Sequence, residues 1–125
     1  MFGLFKKNKK KKQEEEKYFF VNVEIPAVLS PTDERANAED LIEGFLSENA
    51  LGCVDGGGTF FSEDGQPASC QITILLNDLN KEHYVRLAEF IKNNVNLPKG
   101  SILAAERGNY YSDQELKDFE DKELN

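Results

Sequence analysis

The apolar positions between Tyr18 and Glu106 change period several times, and the order of the changes predicts the elements. Phe19, Val21, Val23 and Ile25 alternate with Phe20, Asn22 and Glu24, the two-residue period of a strand over Tyr18–Ile25 that Pro26 stops. Ser30-Pro31-Thr32-Asp33 reads as a helix start, with Ser30 as N-cap, Pro31 at the first helical position and an acid in the first turn. Ala38, Leu41, Ile42, Phe45 and Leu46 then keep helical spacing, Glu39, Asp40, Glu43 and Glu48 fall on the outward side, and Gly52 reads as the C-cap. Strands over Cys53–Phe61 and Ser69–Leu76 flank the turn Glu63–Pro67, whose Asp64-Gly65 pair is a strong hairpin signal. Asn77, Asp78 and Asn80 open a second helix with the stripe Tyr84, Leu87, Ala88, Ile91 and Val95; Leu97-Pro98-Lys99-Gly100 ends it, and Ser101–Ala105 is a short last strand.

The order β-α-β-β-α-β is the split βαβ arrangement, so the expected fold is α+β: a ferredoxin-like sandwich of a four-stranded antiparallel sheet, order 4-1-3-2, with two helices on one face. The expected core is Phe19, Val21, Val23, Leu41, Phe45, Ile72, Ile74, Leu87 and Ile91. The other face would carry Phe20, Phe60 or Phe61, and Leu75, which is too apolar to stand fully wet. A second copy in a homodimer, the C-terminal segment or a binding partner is expected to cover part of it. Three parts follow along the chain: an arm over 1–17, the α+β domain over 18–107, and an acidic tail or short helix over 108–125, where Leu116, Phe119 and Leu124 have near-helical spacing.

Charge sharpens this division. Residues 1–12 carry six Lys and no acid, while the remainder carries nine basic against 23 acidic residues, so +6 and −14 within a net −8. The acidic domain repels phosphate backbones, and the basic-Gly-aromatic signature of RNA-binding sheets is absent, so no specific nucleic-acid partner is expected. The arm reads as a solvated basic segment; its sharper reading is weak contact with an anionic membrane surface, Phe2, Leu4 and Phe5 in the lipid and Lys on the headgroups. Phe at position 2 excludes the N-myristoylation pattern. The apolar stretch Tyr18–Ile25 is short, interrupted by Asn22 and Glu24 and without a small-residue cleavage site, so a cytoplasmic protein is expected. Cys53 and Cys70 fit a reducing compartment and read as small core residues.

Candidate chemistry is sparse. Val54-Asp55-Gly56-Gly57-Gly58-Thr59 is the most unusual stretch, since three consecutive Gly weaken a strand through lost backbone entropy. Either it forms a bulge or close strand crossing, or Gly56, Gly57, Gly58 and Thr59 form an amide nest that approaches an anionic ligand. It is neither a P-loop nor a dinucleotide fingerprint. Asp55, Glu63, Asp64 and Asp78 match no calcium loop. His83 is the only His, which excludes the common zinc signatures. No nucleophile, base and orienting residue can be named together, so the chain is read as no enzyme, with no cofactor and no metal.

The element order and the VDGGGT stretch before an Asp-Gly hairpin resemble small bacterial ferredoxin-like domains, including immunity proteins of toxin systems and ACT-like ligand-binding modules. The first resemblance implies a non-catalytic protein that blocks a basic toxin; Glu39, Asp40 and Glu43 on the first helix and Asp55 are then the expected contacts. The alternative is a small-ligand regulatory module with the Gly segment beside the ligand. ACT modules usually place a Gly-bearing loop after the first strand, whereas Pro26–Asp33 here has no Gly.

Overall fold

The computed structural model describes residues 18–30, 32–107 and 110–125; the expectations for the arm over 1–17 and for Pro31 lie outside them. The elements run β1 (Phe19–Ile25), α1 (Glu34–Glu48), β2 (Gly52–Phe61), β3 (Pro67–Leu76), α2 (Lys81–Asn94), β4 (Ile102–Ala105) and β5 (Lys122–Glu123). All strands pair antiparallel in one five-stranded sheet of order β2-β3-β1-β4-β5. The fold is α+β, with five strands where four were expected, because the C-terminal segment returns to pair β5 with β4.

Alternation decides which side of the sheet is covered. Val21 stands between Ile74 and Ala105, and Val23 between Ile72 and Leu103; these form the inner rows, and all are buried. Ala38, Ile42 and Leu46 of α1 and Tyr84, Leu87, Ala88 and Ile91 of α2 close over them. The helices meet through Phe45 and Phe90, whose rings stack with centroids 4.4 Å apart. Burying one such Ile or Leu contributes about 1.5–3 kcal/mol.

Two core expectations shift. Leu41 is 47% exposed and Phe45 only half-buried. The line Ala38–Ile42–Leu46 faces the core, so Leu41, about 100° round the helix from Ile42, looks out. The rotation is set by the polar line Arg35–Glu39–Glu43, which packs against β2. Both ends of α1 also differ from the expected caps. Its first residue is Glu34, after a turn in which Ser30 O accepts from Asp33 N (3.3 Å) and Arg35 N (2.8 Å). Glu34 reaches back to accept from Ser30 N at 3.2 Å, so Ser30 is held by the helix rather than capping it. At the other end Ala50 takes a left-handed φ of 54°, and Gly52, at φ 156°, opens β2 rather than capping the helix.

The C-terminal segment is made of turns and β5, without the α-helix that the spacing of its apolar residues suggested, yet Leu116, Phe119 and Leu124 are all buried. Arg107 holds it by donating to Leu116 O (3.1 Å) and Phe119 O (3.0 Å). The Phe119 ring meets Phe19 edge-on at 4.9 Å and Tyr84 at 5.4 Å. The Tyr84 hydroxyl is shared between Leu103 O (3.1 Å) and Glu120 O (2.8 Å), and burial pushes this phenol far above its ordinary range. Asn125 closes the chain onto the α2–β4 turn by donating to Leu97 O at 2.9 Å. No helix among the described residues is long and apolar enough to cross a membrane.

Candidate functional site

The Gly run lies inside β2, paired to β3 along its length, with a bulge between Val54 and Gly56. Gly56 takes φ 144° there. Val54, on this edge strand, donates its N–H to the Glu43 carboxylate at 2.7 Å. One turn earlier, Arg35 Nε lies 3.5 Å from Glu39 Oε2 directly over Gly57, and Arg35 donates to Thr59 Oγ1 at 3.2 Å. A Cβ at Gly57 would stand 2.8 Å from that Glu39 oxygen and 2.9 Å from Gln71 O. The glycine is thus the space that lets a polar helix line approach a strand. Extended backbone sends successive N–H groups to opposite sides, so Gly56, Gly57, Gly58 and Thr59 form no amide nest.

This arrangement corrects the expected acidic patch. Glu39 and Glu43 do not point outward: one pairs with Arg35 and the other accepts from Val54 N and from Ser47 Oγ. Only Asp40 and Asp55 of the expected four are exposed. Cys53 is exposed too, at the β2 position facing Leu75, whereas Cys70 is buried and its thiol donates to Ala27 O at 3.3 Å; both are free.

The side of the sheet away from the helices carries the other candidate surface. Cys53, Leu75 and Phe20 form its first row, and Phe20 packs beside Tyr18 and Tyr110 with ring centroids 5.9 and 6.3 Å away. The C-terminal segment therefore covers one end of the face, as one of the sequence expectations had it. The next row is polar: Thr73 donates to Asn22 Oδ1 at 3.0 Å and accepts from Gln71 Nε2 at 3.3 Å, which fixes the Gln71 side chain. The third row crosses all five strands as Gly58, Gln71, Glu24, Ile102 and Glu123. Beyond it Phe60 faces Ser69, and Phe60 and Phe61 are 51% and 62% exposed.

The third row floors a cleft of about 300 Å³. Glu24, Gln71 and Ser69 supply its polar groups, Phe60, Ile102 and Pro26 its apolar walls, and Gly100 closes one end against Pro26. Glu24 is exposed and has no cationic partner among the described residues. None of the lining residues is basic, and no Lys or Arg stands at a position of these rows. The arrangement offers an uncompensated carboxylate, a fixed amide and a half-exposed ring in one depression. It suits a cation carried on an apolar stem.

Sequence reasoning placed Glu24 on the face with Phe20 and Asn22 but gave it no role. The available signal was a carboxylate in the middle of a strand, on a face otherwise rich in Phe and Leu. Glu123 carried no such signal, because nothing in the tail announces a strand. No protein-family model, curated protein or solved structure matches this chain.

Proposed function

We propose that the chain is a non-catalytic protein-interaction module whose open sheet face captures a basic partner. The observation that carries this reading is the composition of the face: exposed Phe60 in one cleft with Glu24, Glu123 farther along the row of Glu24, and no Lys or Arg in its rows. Aromatic anchors in a charged rim are what protein interfaces use for affinity, and the charge adds partner choice and association rate. An inhibitor of the immunity kind, bound to a basic enzyme or toxin, is the concrete form that fits this surface and the domain's negative charge. The strand order β2-β3-β1-β4 with both helices on one side supports a ferredoxin-like arrangement extended by β5. A second copy of the chain fits the face less well, because a symmetric pairing would set two faces of the same negative sign, without Lys or Arg in their rows, against each other.

The test is a capture experiment in native cells with three forms of the protein. A basic partner should be retained by wild type and by Asp40→Lys, and lost with Phe60→Ser/Phe61→Ser. Both Phe side chains are largely exposed, so the double change should leave the fold intact. A partner kept by the double variant but lost with Asp40→Lys would move the contact to the helix face and overturn the reading.

A further inference from the structure

We infer that the cleft over Glu24 is a binding site for one cationic side chain, lysine or arginine, of the partner. The inference rests on the interaction reading and names the chemistry of its central contact. It starts from register. Glu24 pairs with Gln71 on β3 and with Ile102 on β4, so its carboxylate rises between an amide and an aliphatic side chain. Directly paired side chains in a sheet stand about 5 Å apart, within reach of one bound group.

Each wall has a use for a cation on a stem. Glu24 supplies the charge, and the next acid in the row, Glu123, lies two strands away, about 10 Å, where it reinforces the field without competing for the same contact. Gln71 is already oriented through its bond to Thr73, which leaves its carbonyl oxygen to accept an N–H. Phe60 offers a ring to a guanidinium or ammonium, and Ile102 and Pro26 cover methylenes. An anion finds no donor side chain of positive charge here, and a neutral apolar ligand would leave Glu24 without its counter-charge at closer range.

The site is tested with fragments that isolate the side chain from the partner. Isotope-labelled full-length protein is titrated with n-butylammonium chloride, n-butylguanidinium chloride, sodium butyrate and n-butanol, and backbone amide shifts are followed by NMR. The two cations should shift Glu24, Gln71, Ile102 and Gly100 with a millimolar Kd, the larger response of the pair identifying the preferred head group. Glu24→Gln should weaken this about tenfold, and Asp40→Asn should not change it. Butanol acting as well as the cations would show an apolar depression only and overturn the assignment. Cation shifts spread over the helix acids, or unchanged in Glu24→Gln, would overturn it equally. A protein partner lost with Phe60→Ser/Phe61→Ser yet indifferent to Glu24→Gln would refute the cation site while leaving the face as the interface. Fragment binding without any face-dependent partner would keep the cation site and refute the interaction reading.

Discussion

A methyl group added at Gly57 would meet Glu39 Oε2 at 2.8 Å and a backbone oxygen at 2.9 Å, whereas one added at Gly58 meets nothing within 4 Å. The backbone oxygen cannot swing away as a side chain can, so Gly57→Ala should cost about 1–3 kcal/mol. Gly58→Ala should be neutral or stabilise by up to about 1 kcal/mol, through the lower entropy of its unfolded chain. Urea unfolding of the pair checks this, and equal effects at both positions would mean that α1 does not need Gly57's space. Tyr84 gives a second residue-scale test. Its phenol is raised by burial, so the folded form holds the proton more tightly than the unfolded one. Stability from this group is complete below the ordinary tyrosine range and falls as pH climbs through that range, because the unfolded chain ionises first. Tyr84→Phe should lose about 0.5–1.5 kcal/mol at neutral pH with the bonds to Leu103 O and Glu120 O. It should also flatten the alkaline decline; an unchanged decline above pH 10 would assign that loss to other groups.

At the scale of elements, the C-terminal segment is the least legible part of the chain and a strong determinant of its architecture. Its apolar residues suggested a helix because Leu116 and Phe119 are three apart, a spacing that a run of turns uses equally well. What holds it is long-range: Arg107 donates to its carbonyls, Tyr84 to Glu120 O, and Phe119 packs on Phe19. No local pattern encodes such contacts. Strands β1 and β3 were legible because alternation is a local signal, and α2 because Asn80 caps it and one apolar stripe meets the core. The face of α1 was misjudged at Leu41 because this helix packs a polar line on a glycine strand, a pairing that hydrophobic periodicity cannot reveal. The same hidden pairing removed Glu39 and Glu43 from the expected acidic contact. Phe119→Ala should therefore cost about 3–5 kcal/mol, as for any buried core Phe, although it sits six residues from the last residue described. Protection of the β4 and β5 amides from hydrogen exchange should fall with it. A loss under half a kcal/mol would make the segment an accessory rather than part of the core.

For the whole molecule the deciding quantity is charge. The chain carries −8, and residues 1–12 contribute +6 of opposite sign to the rest. A body with this excess of acids repels itself, and the repulsion grows with the square of the net charge. Arg35 with Glu39 is an ion pair that opposes it among the described residues. Salt shortens the screening distance from about 30 Å at 0.01 M to about 10 Å at 0.1 M, which weakens repulsion across the body more than a close, half-buried pair. The thermal midpoint should therefore rise between low and moderate NaCl. Removing residues 1–12 takes the net charge to −14 and leaves more repulsion to screen. The truncated form should show the larger rise with salt, and the two midpoints should converge once screening is strong. Convergence would also show that the arm adds charge rather than packing, in keeping with its lack of apolar periodicity. Scanning calorimetry of both forms at two salt concentrations measures this. A midpoint that falls as NaCl is added would reverse the account, since it would mean that attractive pairs, not the excess of acids, set the electrostatic stability of the fold.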